Sequence, residues 1–200
     1  MVNGTSTSAP TKAGAGVVQG RFWRVLPPLV RYSLRVNLEA AAGTRAAAGS
    51  ARAAGAAAAL PLATAVCRAD TVGDWSALWL GPDEQLLIGP EGTDLATQVA
   101  TVFESLPYSL VDISHRQGAV EISGPYAEAL LNTGCPLDLH AGAFPVGACT
   151  RTLFAKADIV LWRRGARQFH LEVWRSFRPY VLDLLTLIES EFLLQPESNV

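Results

Sequence analysis

Lysine is almost missing from this 200-residue sequence. Lys12 and Lys156 are the only two, against 14 arginines. Charge of any kind is scarce, at 17% of residues, below the ~25% usual for soluble chains. The formal net charge is −2, so no bulk positive field exists to hold a phosphate backbone, which excludes a general nucleic-acid binder. Cysteine is sparse as well. Cys67, Cys135 and Cys149 are odd in number and far apart, which excludes a disulfide scaffold and points to a reducing compartment. No run reaches the ~18 apolar residues of a membrane span. Also missing are GxGxxG and Walker glycine loops, the GxSxG elbow, and the close CxxC, HxH or HExxH pairs of metal sites.

What is present is apolar material. Half the residues are hydrophobic, enough for one ordinary domain or two small lobes. Residues 1–20 are rich in Gly, Ser, Thr and Ala and read as a disordered tail rather than a secretory signal. Residues 32–38 alternate, with Leu34, Val36 and Leu38 on one face of a strand. An alanine-rich stretch, 40–59, reads as a helix; a flexible low-complexity linker is the competing reading. Residues 75–90 read as a hairpin, Trp75–Leu80 and Gln85–Ile88, turning at Gly81–Asp83. Asp94 can cap a helix whose face carries Leu95, Val99, Val102, Phe103 and Leu106, stopped by Pro107.

Residues 109–123 read as a strand pair or one long bent strand, and Pro125 and Gly134 bracket a short helix. After a turn-rich connection, 135–147, come strands around 150–162 and 168–174. In the latter Phe169, Leu171 and Val173 face one way, and His170, Glu172 and Trp174 the other. A final helix, with Pro179 in its first turn, carries Val181, Leu184, Leu185, Ile188 and Phe192 on one stripe. Residues 195–200 read as a frayed tail. Pairs of strands alternating with single helices predict an α+β fold of two ferredoxin-like (split βαβ) lobes packed together, 21–108 and 109–194.

Chemistry-bearing residues are few. Cys135, His140 and Cys149 lie near one another in sequence, but their spacing is not that of a zinc site, and nothing marks a base that would activate either thiol. Asp112 and His115, in DISHR, could form an acid–base pair. The competing reading is a turn in which Asp112 and Ser114 bond local amides. No residue is therefore assigned a catalytic, cofactor-binding or metal-binding role. The cationic run 163–167, with Arg175 and Arg178, lies beside Trp162 and Trp174. Trp and Arg are over-represented at interface hot spots, so Trp162, Trp174, Arg175 and Arg178 are expected to form a subunit interface. Strand alternation predicts an outward Trp174 if Val173 and Leu171 face the core.

From Trp79 to about Leu185 the chain resembles the gamma subunit of heterotetrameric sarcosine oxidase. The resemblance is carried by LGPDEQLL (80–87), VDISHRQ (111–117), ISGPYAEALL (122–131), GCPLDL (134–139), FPVGACTRT (144–152), KADIVLWR (156–163) and VWRSFRPYV (173–181). It implies an aminomethyltransferase-like, folate-binding-like fold and a bacterial, cytoplasmic complex with alpha, beta and delta partner subunits. That complex oxidises sarcosine to glycine, yields hydrogen peroxide, and releases the one-carbon unit as formaldehyde or passes it to tetrahydrofolate. FAD, FMN, NAD, tetrahydrofolate and zinc are then expected in the partner subunits and none in this chain. The alternatives are a free-standing folate-binding aminomethyltransferase-like protein, which would need more chain than is present, and a pterin-binding regulator with Asp112 as its acidic grip.

Overall fold

The fold is seen in a computed structural model that describes residues 19–37, 40, 60–63, 65–92, 95–104 and 106–194, with side chains to Leu193. The expected tails (apart from Gln19 and Gly20), the alanine-rich stretch beyond Ala40 and the Asp94 cap lie outside the described residues. Ten strands follow in chain order: β1 (Trp23–Val25), β2 (Val30–Val36), β3 (Ala69–Val72), β4 (Trp75–Gly81), β5 (Glu84–Gly89), β6 (Tyr108–Asp112), β7 (Gln117–Ser123), β8 (Cys149–Phe154), β9 (Ala157–Gly165) and β10 (Gln168–Trp174). The helices named here are α1 (Leu95–Val102), α2 (Ala127–Asn132) and α3 (Arg178–Leu194).

The strands build two five-stranded sheets. The N-terminal sheet has the order β3-β4-β5-β2-β6 and the C-terminal sheet the order β8-β9-β10-β7-β1. Every pairing in both is antiparallel. The two orders correspond position by position: a first strand, a later three-strand meander, and one edge strand. That edge strand is exchanged. β1 leads into β2 in the chain yet pairs with β7, Trp23 opposite Ile122. β6 leads towards β7 yet pairs with β2, Tyr108 opposite Val36.

Three strands depart from the sequence expectation. β1 and β3 are additional, and residues 150–162 hold a hairpin, β8–β9, rather than one strand. Its turn is Ala155–Lys156, with Ala155 at φ +51°, a conformation for which Gly or Asn is the usual signal. The 109–123 stretch holds two strands, but they belong to different sheets. Each expected strand pair is thus a triplet, and β7 and β8, joined through α2, have two strands between them. A split βαβ unit has one, so the observed α+β architecture is two five-stranded antiparallel sheets.

Strand alternation then sets the layers. Val120 and Ile122 of β7 and Phe169, Leu171 and Val173 of β10 pack on Leu130, Leu131, Val181, Leu185 and Ile188 of α2 and α3. Leu34 and Val36 of β2, Ala77 of β4 and Leu87 of β5 pack on Leu95, Val99 and Phe103 in and just after α1. The remaining faces meet each other, with Leu78, Leu86 and Ile88 against Cys149, Val160 and Trp162. The order is helix, sheet, sheet, helix. The strands β5, β7, β9 and β10 are covered on both faces along most of their length, and each fully buried Leu or Phe contributes ~1.5–3 kcal/mol. Leu171 is inaccessible to solvent in the helix-facing core. Leu171→Ala is expected to lower unfolding stability by ~2–5 kcal/mol, read from the denaturant midpoint of the purified chain.

Candidate functional site

The layer between the sheets is not purely apolar. Arg31 on β2 and His170 and Glu172 on β10 are all at most 2% exposed. Their places follow from period-2 alternation: Leu34 and Val36 face α1, so Arg31 points the other way. Arg31 Nε donates to Glu172 Oε2 at 2.6 Å, Arg31 Nη1 donates to the Leu29 carbonyl at 2.9 Å, and His170 Nε2 lies 2.7 Å from Glu172 Oε1. Burial acts to raise the Glu172 carboxyl, but the His170 hydrogen bond and charge, joined by Arg31, hold it below the usual carboxylate range.

A second ion network closes one end of the same layer. The Glu84 carboxylate accepts from Arg35 Nη2 at 3.0 Å and from both terminal nitrogens of Arg151 at 2.9 and 2.5 Å. The Arg151 hydrogen bonds hold Glu84 below its ordinary value. These groups line a cleft of about 450 Å³ with Arg116, Gln117, Asp158 and Trp174. A neighbouring hollow of about 330 Å³ is walled by Leu26, Pro27 and Pro28 and rimmed by His115, Arg175 and Arg178.

The expected interface residues separate into two environments. Trp174 is 46% exposed, and the Arg116 guanidinium lies 5.6 Å from its ring centre. Arg175 is exposed, and Arg178 packs its side chain over Gly118, where a Cβ would meet it at 3.1 Å. Phe177 and Tyr180 add exposed rings beside them in the chain. Trp162 does not belong to this surface. It is 7% exposed, in the apolar layer between the sheets, with its ring 5.8 Å from that of His170. Its strand is covered on both faces, so its expected place at a partner surface is corrected to the interior.

The cationic run is not wholly on the surface. Arg163 is buried and donates through Nη1 to the carbonyls of Leu139 (2.8 Å) and Phe144 (3.0 Å), with Nη2 on Glu128 and the Ala166 carbonyl. One guanidinium thus fastens the 135–147 connection onto β9 and α2.

The other candidates are engaged locally. Asp112 Oδ1 accepts from the Ser114 amide at 2.8 Å, and the Ser114 hydroxyl and amide together keep its carboxyl low. His115 is exposed. Cys149 donates its thiol to the Trp79 carbonyl at 3.6 Å, and burial pushes that thiol up to about 12, far from a reactive thiolate at neutral pH. Cys135 lies in the helix-facing core, 3.9 Å from the Thr152 hydroxyl, whereas the His140 ring accepts from the Gly142 amide at 3.2 Å on the surface. Among the described residues no three His, Cys, Asp or Glu side chains gather as metal ligands do. No helix among them is long and apolar enough to cross a membrane.

Arg31, Glu172 and His170 escape the sequence reading because their strands look half-buried, and a polar face on such a strand is read as solvated. The signal that could have found them is in β10, where His170 and Glu172 alternate with three core residues directly before Trp174.

With two antiparallel sheets back to back, the fold is that of the aminomethyltransferase-like proteins. The glycine cleavage system aminomethyltransferase T from Bartonella henselae aligns at a TM-score of 0.54 and 10% identity, over 80% of this chain and 44% of that one. A chain of the heterotetrameric sarcosine oxidase from Corynebacterium sp. U-96, solved with pyrrole 2-carboxylate, aligns at a TM-score of 0.72 and 28% identity over 91% of both chains. Residues 41–191 match the sarcosine oxidase, gamma subunit family, and the chain belongs to that family. Among its relatives, sarcosine oxidase subunit gamma of Corynebacterium sp. (strain P-1) is 36% identical over 64% of this chain and 63% of that protein. The subunit gamma of Arthrobacter sp. is 38% identical over 48% of this chain and 47% of that protein. The matched stretch therefore spans between about half and two thirds of these relatives' length.

The Glu172 carboxyl is depressed on folding, so its contribution is fully present above the ~4.3 of an unfolded glutamate and is lost as pH falls through the lower folded value. Stability is accordingly expected to drop on acidification below about pH 4.3. Glu172→Gln leaves the buried Arg31 charge uncompensated and is expected to cost ~3–5 kcal/mol. Denaturant midpoints of both proteins at pH 7 and pH 4 check the two statements.

Proposed function

We propose that this chain is a non-catalytic, structural gamma subunit of a heterotetrameric sarcosine oxidase. The complex demethylates sarcosine oxidatively to glycine, with hydrogen peroxide and formaldehyde or methylene-tetrahydrofolate as further products. The observation that carries the reading is the likeness to a chain of a heterotetrameric sarcosine oxidase over 91% of both chains, within the gamma-subunit family. The partners are the alpha, beta and delta subunits, the compartment is the cytoplasm, and FAD, FMN, NAD, tetrahydrofolate and zinc reside in the partners. The carboxylates described above suit none of these groups well: Glu172 and Glu84 are held by arginines and Asp112 by a local amide. Asp112, the acidic residue a pterin would need, is occupied by Ser114. A free-standing aminomethyltransferase is disfavoured because the likeness to such a protein is 10% in identity with a TM-score of 0.54, against 28% and 0.72 for the sarcosine oxidase chain.

We read the chain as two lobes, 21–108 and 109–194, whose edge strands are exchanged. The partner surface is centred on Trp174, with Arg175 and Arg178. Supporting this are the outward ring, its cation–π contact and the flanking exposed aromatics, a composition typical of hot spots. Purification of the tagged chain from its native cell should bring down flavin-coloured subunits with sarcosine-dependent peroxide formation. Recovery of a colourless single chain would overturn the reading, as would a flavin bound stoichiometrically to the chain alone.

Trp174→Ala should weaken assembly by about 30- to 1,000-fold, the ~2–4 kcal/mol of a truncated hot-spot residue, with the circular dichroism of the chain unchanged. His115→Gln, by contrast, is expected to leave the activity of the complex within a few-fold. A loss of about 10²–10⁴ with assembly intact would give that histidine an acid–base role.

A further inference from the structure

Two of the three cysteines occupy opposed backbone positions at the seam between the sheets. Residues 65–68 form a turn, the Arg68 amide donating to the Ala65 carbonyl at 3.2 Å. Arg68 then forms an isolated antiparallel bridge with Ala148. That register sets Cys67 directly opposite Cys149, and the Cys149 amide donates to the Cys67 carbonyl at 2.9 Å. On the other side of the bridge, the Ala69 amide donates to the Gly147 carbonyl at 2.8 Å. Opposed residues in an antiparallel ladder have Cα atoms about 4.5–5.5 Å apart, inside the ~4.4–6.8 Å span of disulfides.

Cys67 and Ala155 are the only non-glycine residues at positive φ among the described residues, Cys67 at +53°. Ala155 sits in a two-residue hairpin turn. For Cys67 the left-handed conformation delivers its carbonyl to Cys149. A charge on Cys67 would raise the Cys149 thiol further. They differ in access: Cys67 is part-exposed and Cys149 fully buried. Cys135, in the helix-facing core, belongs to neither strand of this bridge.

We propose that Cys67 and Cys149 are an oxidisable dithiol that closes into an intramolecular disulfide when the protein meets hydrogen peroxide. Cys67, the accessible sulfur, attacks one peroxide oxygen. The O–O bond breaks, one water leaves, and Cys67 becomes a sulfenic acid. Cys149 Sγ then attacks the Cys67 sulfur, the S–O bond breaks, and the second water leaves with the Cys149 proton. In sum two thiols and one peroxide give one disulfide and two waters: the sulfurs are oxidised and the peroxide is reduced. The order of the two steps follows from access, because peroxide reaches the part-exposed Cys67 before the fully buried Cys149. The bond would tie the turn before β3, in the N-terminal sheet, covalently to β8, in the C-terminal sheet. The dithiol rests on the geometry of this chain; only the origin of the peroxide rests on the oxidase reading.

The test adds hydrogen peroxide to the purified, reduced protein in its native assembly, then blocks free thiols under denaturing conditions and maps peptides without reduction. The expected result is a peptide joining Cys67 to Cys149, two hydrogens lighter than the sum of its parts, with Cys135 blocked as a free thiol. In Cys149→Ala, Cys67 should be trapped by dimedone as a sulfenic acid. In Cys67→Ala, which alters a part-exposed turn rather than the core, Cys149 should stay free at the same peroxide dose. Recovery of both wild-type cysteines as blocked thiols would overturn the proposal, and so would over-oxidation of Cys67 without a link, or a link to Cys135. Because the peroxide is added, failure would count against the dithiol and not against the assignment to the oxidase.

Discussion

Arg31 and Glu172 come from different sheets and meet with both charges out of water. Two buried ions at 2.6 Å are tolerated only when their remaining polar atoms are also satisfied. Here the Leu29 carbonyl and the His170 ring take up much of that demand. An apolar layer such as Leu78, Leu86 and Ile88 against Val160 and Trp162 supplies attraction without direction. The ion pair adds direction, because sliding one sheet over the other by one residue, ~3.3 Å, would part Arg31 from Glu172 and leave two buried charges unpaired. The Glu84–Arg151 contact repeats the device at the far end of the layer, also from one sheet to the other.

This face-to-face packing explains what is otherwise an odd surface. A chain with so little charge still places Arg31, Glu172 and His170 between its sheets. What remains outside is a face where Trp174, Phe177 and Tyr180 stand among arginines. The two observations have one origin. Polar residues that would ordinarily solvate a strand's outer face are used to align the sheets, and the rings at the end of β10 and the start of α3 remain exposed.

Much of this was legible in the residues. The β4–β5 hairpin, α1 with Leu95, Val99 and Phe103 inward, and the inward stripe of α3 all follow from periodicity and turn chemistry. The outward Trp174 follows from alternation, and the Asp112 turn from the local bonding habits of Asp and Ser. Other features were hidden for definable reasons. β1 is three residues long, too short to show a period. The β8–β9 turn uses Ala155 and Lys156 instead of Gly or Asn. Trp162 lies on a strand covered on both faces, where an apolar run carries no information about which side is out. The pairing partner of an edge strand is a tertiary property that no local window contains, so the exchange of β1 and β6 was out of reach.

That exchange also sets a clock. Trp23 pairs with Ile122, so about a hundred residues must be synthesised between the two halves of one contact. At the ~5–20 residues per second of translation, β1 waits on the order of 5–20 s for its partner. Through that interval the N-terminal sheet also lacks β6, and the pairing side of β2 stays open. An unpaired strand edge invites pairing with another chain. A nascent chain of this kind depends on the speed of its own second half, or on a chaperone, to reach the native arrangement before a neighbour does.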